Sequence, residues 1–93
     1  MTDPIHPGQA LAAAIADHEG LTKKRLADLI GVPPGRISEV ISGKRSITAD
    51  TALRLSRVFK QPPDHWLNLQ KQYELQTAKT ALGSQLENIR AYG

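Results

Sequence analysis

The chain contains no cysteine. That excludes a disulfide framework, thiol catalysis and a cysteine-ligated zinc site, and it fits a reducing compartment. Aromatic residues make up only 4% of the sequence, so no aromatic platform accompanies its basic stretch, as an RNA-binding sheet or groove would need. No apolar run approaches the roughly 18 residues of a membrane span, and the N terminus lacks a basic-then-apolar export pattern. A soluble, cytoplasmic protein without membrane contact is the expectation. Paired carboxylates, nucleophile–base spacing and a phosphate-cradling glycine loop are also missing, which argues against an enzyme. Ser38 and Glu39 are adjacent and so point in different directions on a helix, which argues against a shared catalytic site. His6 and His18 stand twelve residues apart with no third ligand near in sequence, so neither a metal nor any other cofactor is expected.

What is present suits one folded domain over residues 1–93. Hydrophobic residues make up 40% and charged residues 23%, and a chain of this length buries about 60–65% of its unfolded surface. The net charge is only +3, but it is unevenly placed. From Lys23 to Lys60 there are nine basic residues against three acids, a net +6; the remainder has three basic and six acidic, a net −3. A basic middle between acidic ends is the footprint of a nucleic-acid-binding core, although a solvated charged surface would look the same.

The stretch from about 22 to 43 reads as two short helices joined by a tight turn. Thr22 suits an N-cap, with Leu21 before it as a hydrophobic staple to Leu26. Leu26, Ala27, Leu29 and Ile30 fall on one side at helical spacing. Gly31 is a C-cap, and Pro34 opens the next helix where its missing N–H costs nothing. Ile37, Val40 and Ile41 face inward there, and Gly43 closes the unit. Two helices so closely joined cross steeply, as in a helix-turn-helix, although an ordinary helical hairpin has the same caps. The outward residues favour the first reading. Arg36, Ser38 and Glu39 lie on the polar face of the second helix, followed by Lys44 and Arg45. Lys23, Lys24 and Arg25 open the first, where cations oppose the helix dipole; phosphate contact gives them a reason to be there.

Around this unit the pattern predicts a first helix over Pro7–His18, after a polar arm Met1–His6, with Ala10, Leu11, Ala14 and Ile15 as its stripe. His18 there would be a cation stabilising the helix C terminus. A fourth helix is capped by Thr48, carries Asp50 in its first turn and turns Ala52, Leu55, Val58 and Phe59 inward. The break at Gln61-Pro62-Pro63-Asp64 leads into a fifth helix that begins near Pro63 and runs to about Leu82, expected to bury two faces. An amphipathic piece with Leu82, Leu86 and Ile89 follows Gly83. The fold class is therefore all-α, five helices with a C-terminal helical extension. Trp66, Leu67, Leu69, Tyr73, Leu82, Leu86 and Ile89, on helices over about 63–90, exceed what such a core needs and would serve a symmetric homodimer; the alternative is that Trp66 and Tyr73 cap the core of a single chain.

The run LTKKRLADLIGVPPGRISEVISGKRSITADTALRLSRVF resembles the Xre/lambda-repressor-like helix-turn-helix family. With HPG at His6–Gly8, GKRSITADTALRL at Gly43–Leu55 and PPDHWLNLQKQYEL at Pro62–Leu75, most of the chain resembles the HigA-type antitoxins of type II toxin–antitoxin modules. The resemblance implies a dimer that binds and suppresses a toxin, typically a HigB/RelE-like mRNA endonuclease. It also implies repression of its own operon through double-stranded operator DNA. Carried over by position, Pro34, Gly35, Arg36, Ser38 and Glu39 face base edges, and Lys23, Lys44 and Arg45 touch phosphates. Lys23 departs from the glutamine common in the family, and Pro34 and Gly35 replace longer polar residues, so Arg36 becomes the leading base reader. The toxin-binding surface is expected on the first helix with the N-terminal arm, or else on the C-terminal piece. A stand-alone repressor without a toxin would show the same core.

Overall fold

A computed structural model describes residues 5–92, so residues 1–4 of the polar arm lie outside the described residues. Five α-helices follow one another: α1 Pro7–Ala16, α2 Lys23–Ile30, α3 Pro34–Ile41, α4 Ala49–Phe59 and α5 Pro63–Leu82, with a short 3₁₀ helix at Gly83–Asn88. Their termini have local causes. The Thr22 hydroxyl accepts the Arg25 N–H, and the Thr48 hydroxyl that of Thr51, so both helices start on a side-chain cap. Pro34 and Pro63 each occupy the first helical position. Gly31 is left-handed at φ 74°, which lets its N–H and that of Val32 both reach the Ala27 carbonyl and reverses the chain after α2.

The core is continuous through α1 to α4 and the first turns of α5. Leu11, Leu26, Ala27, Ile37, Val40, Ala52 and Leu55 are fully buried, and Ile30, Val32 and Ile47 nearly so. Trp66 closes the lower end, 1% exposed. Its ring packs at a tilt against Phe59, with 5.8 Å between centroids. α1 is drawn hard onto α3: a Cβ on Gly8 would overlap the Val40 carbonyl oxygen and stand 2.9 Å from the Ile41 Cα. Glycine is therefore a requirement of the helix crossing, and His6 beside it provides the cap. The His6 Nδ1 accepts the Gly8 N–H at 2.9 Å, and its ring meets Tyr73 edge-on with 4.7 Å between centroids.

Four expectations need correction. Leu29 is 53% exposed. The buried stripe of α2 is centred on Leu26, Ala27 and Ile30, and at about 100° per residue Leu29 lies well off it. The first helix ends at Ala16, not His18; His18 sits in the following turn, with its Nδ1 2.7 Å from the Ala14 carbonyl oxygen. The fifth helix buries one short patch, Trp66 and Gln70, and is exposed from Glu74 onward, so it does not have two buried faces. Trp66 belongs to the core of the single chain and drops out of the dimer set, because a side chain already sealed from solvent has nothing to offer a second copy. Of the rest, Leu69 is half-buried against the core and Tyr73 half-buried beside His6, while Leu82, Leu86 and Ile89 are 41%, 40% and 72% exposed.

The outer part of α5 projects from the globule and accounts for a long axis of 53 Å against 26 and 21 Å. Among the described residues no helix is long and apolar enough to cross a membrane.

Candidate nucleic-acid interface

α2 and α3 are joined by Gly31, Val32 and Pro33 alone. Val32 is buried and anchors the connector, and Pro33 N-caps α3 with its carbonyl accepting the Arg36 N–H at 3.0 Å. This fixes the direction of α3. With Ile37 and Val40 in the core, Pro34, Gly35 and Ser38 are left exposed and Arg36 and Glu39 half-buried at the edges of the outer face. All five base-reading candidates therefore lie on one eight-residue helix. Gly35 has open space where a Cβ would be and ordinary backbone angles. Its small size serves nothing inside the chain and leaves the leading edge of α3 bare.

The two charged members of the set have partners. The Glu39 carboxylate pairs with Arg45 Nη2 at 3.3 Å, and the Glu39 carbonyl accepts the N–H of Lys44 at 2.9 Å and of Arg45 at 3.2 Å. Those backbone bonds, with Gly43 left-handed at φ 83°, fold the segment after α3 back over its C-terminal turn and hold both cations close to it. Arg36 leans the other way, its Nη1 3.8 Å from Asp50 Oδ1 in the first turn of α4. Lys23 stands exposed at the first position of α2 and has no ion-pair partner among the described residues.

Two further residues that the sequence did not single out hold this face in place. Arg54 on α4 donates through Nη1 to the Ile30 carbonyl at 2.7 Å and through Nε to Asp50 at 2.7 Å. It thus satisfies one of the open carbonyls at the end of α2. Gln70 on α5 accepts the buried Ile47 N–H at 2.8 Å and donates to Glu74 at 3.1 Å. That ties the loop after α3 to the fifth helix. Both bonds span more than twenty residues of sequence, so no local pattern announces them. The one available signal was Gln70 itself, a polar residue one turn after Trp66 on the inward side of α5.

A short helix crossing a second one after a three-residue connector, with its polar face outward and cations at both ends of the unit, defines a helix-turn-helix protein. A helix-turn-helix family (HTH_3) matches residues 10–66, more than half the chain, and the chain belongs to it. Its structural neighbours include HigA antitoxins. A HigA-family addiction module antidote protein from Coxiella burnetii superposes with a TM-score of 0.93 at 38% identity, covering 98% of this chain and all of that one. The antitoxin HigA of Pseudomonas aeruginosa, solved with the higBA promoter, gives 0.87 at 33% identity over 97% of this chain and 99% of its own. Among curated relatives, the virulence-associated protein I of Dichelobacter nodosus is 44% identical over 81% of this chain and 69% of its own length.

Proposed function

We propose that the protein is a non-enzymatic, cytoplasmic antitoxin with two activities: it binds and neutralises a small mRNA-endonuclease toxin, and it represses its own operon by binding operator DNA as a homodimer. The observation that carries the reading is the outward face of α3. It stands free of the core, with a bare leading edge and cations on both sides, in a chain with the same fold as a HigA solved with its promoter.

In this reading α3 enters the major groove. Arg36 pairs with a guanine edge, and Ser38 and Glu39 add hydrogen bonds, each good contact worth about 1–3 kcal/mol of discrimination. Pro34 and Gly35 contribute by absence, since a leading edge without hydrogen-bonding or long side chains lets the helix sit close to the bases. Lys23, Lys44 and Arg45 bind phosphates and supply affinity without sequence information.

The exposed apolar residues Leu75, Leu82, Leu86 and Ile89 lie on the outer part of α5 and the segment after it. They support a symmetric dimer, with Leu69 and Tyr73 at the inner margin of its interface. Two recognition helices about 34 Å apart would then meet successive turns of the groove. The toxin's place remains, as the sequence suggested, α1 with the arm before it, or else the C-terminal segment. The acidic charge of the chain ends suits a basic, RNA-binding partner.

Co-expression with the short open reading frame beside this gene tests the central pairing. The proposal expects that frame alone to arrest growth, co-expression to restore it, and gel filtration to show a stable complex. Free protein in the same experiment elutes as a dimer, and as a monomer once Leu86 and Ile89 are replaced by serine. A harmless neighbour that forms no complex would reject the antitoxin activity and leave a stand-alone repressor.

A further inference from the structure

Asp50 lies on α4, outside the set of residues marked for DNA, yet its Oδ1 is where two guanidinium groups meet. It accepts Arg54 Nε at 2.7 Å and lies 3.8 Å from Arg36 Nη1. Arg54 is fixed at its far end as well, through the 2.7 Å bond from Nη1 to the Ile30 carbonyl. The carboxylate is thus strapped to the backbone of the helix-turn-helix and presents its charge to Arg36, the one arginine on the recognition helix. Both partners are solvent-accessible, Arg36 at 30% and Asp50 at 60% of the side chain, and an exposed pair at such a separation adds little to stability. What a carboxylate at this distance can influence is where the Arg36 guanidinium points and how readily it takes a phosphate in place of a base. An arginine with no acid beside it binds any phosphate it can reach, which raises affinity for all DNA and discriminates nothing.

We propose that Asp50 is a positioning residue for base readout: it orients the Arg36 guanidinium and weakens its attraction to phosphate, so that Arg36 engages only where a guanine edge replaces the lost ion pair. The inference rests on the DNA-binding reading above. Asp50 also has a structural role, as an acid in the first turn of α4 and as the partner of Arg54. Asp50→Asn separates the two roles, because the amide oxygen still accepts from Arg54 while the charge is gone.

The probes are a duplex selected from a randomised library by the wild-type protein and a random duplex of equal length, each titrated over a salt series. Asp50→Asn is expected to tighten random DNA and lower the selected-to-random affinity ratio by about 3–10-fold, part of what a full arginine–guanine contact supplies. The salt dependence on random DNA steepens by about one counterion as Arg36 takes up a phosphate. In an Arg36→Ala background neither change occurs. Equal tightening on both duplexes would reduce Asp50 to a background charge and overturn the proposal. Changes of the same size with and without Arg36, or lower thermal stability with an unchanged ratio, would show that it acts only through packing and overturn it equally. A wild-type protein that selects no sequence would overturn the DNA-binding reading itself, and this inference with it.

Discussion

His6 and Gly8 show how much one position can determine. Gly8 is required because α1 crosses the backbone of α3 with no room for a side chain, and His6 secures the same turn by accepting an N–H through its ring nitrogen. Accepting requires the neutral imidazole, and partial burial holds the His6 pKa below its usual 6.5. The folded pKa is the lower of the two, so the unfolded chain binds the proton more tightly. The contribution of His6 to stability is therefore complete above pH 6.5 and is lost as the pH falls below it towards the folded pKa. Thermal melts of wild type and His6→Asn across that range check this. Asparagine caps without titrating, so the variant should lose less stability on acidification than wild type. Equal losses would show that other groups carry the acid sensitivity. Position-specific signals of this kind were legible where they are local: Thr22, Gly31, Pro34, Thr48 and Pro63 all act within a turn of themselves, as the sequence indicated. Leu29 was misplaced because an eight-residue helix gives too few turns to distinguish the centre of an apolar stripe from its edge.

At the scale of elements, the helix-turn-helix is held by contacts that arrive from elsewhere in the chain. α4 supplies Arg54 to the end of α2, and α5 supplies Gln70 to the loop carrying Ile47. The WLNLQ segment at the head of α5 is thus a structural brace, with Trp66 filling the core and Gln70 satisfying a buried donor. Gln70→Met keeps the bulk of the side chain but leaves the Ile47 N–H buried without an acceptor, and it should cost about 1–3 kcal/mol in urea denaturation; Gln70→Ala, which also loses the packing, should cost more. A Gln70→Met variant as stable as wild type would show that packing of the side chain and not the hydrogen bond is what matters. These braces were invisible in the sequence because the partners are brought together only by the tertiary fold. The same limit explains the fifth helix. Its apolar residues suggested two buried faces, but the globule is too small to cover about 30 Å of helix, and everything beyond Tyr73 is left exposed.

Taken as a whole, the molecule has a globular end bearing the basic face and a protruding end bearing exposed leucine and isoleucine side chains. The uneven charge along the sequence, positive from Lys23 to Lys60 and negative outside it, corresponds to the helices α2 to α4. The fold class and the position of α3 could be read from the sequence, since both follow from caps, periodicity and the resemblance. What it did not reveal is that Arg36 and Glu39 are each engaged by a neighbouring side chain before any DNA arrives. In the proposed function the outer face of α3 reads sequence while the cations around it supply affinity. Equilibrium binding of wild type, Arg36→Ala and Lys44→Ala to a selected and a random duplex, over a range of salt, tests it most directly. Arg36→Ala should lower the selected-to-random ratio by the equivalent of about 1–3 kcal/mol, while Lys44→Ala should weaken both duplexes alike and reduce the salt slope by about one. A ratio retained in Arg36→Ala would contradict the assignment of base readout to that residue, and a slope unchanged in Lys44→Ala would contradict the phosphate role.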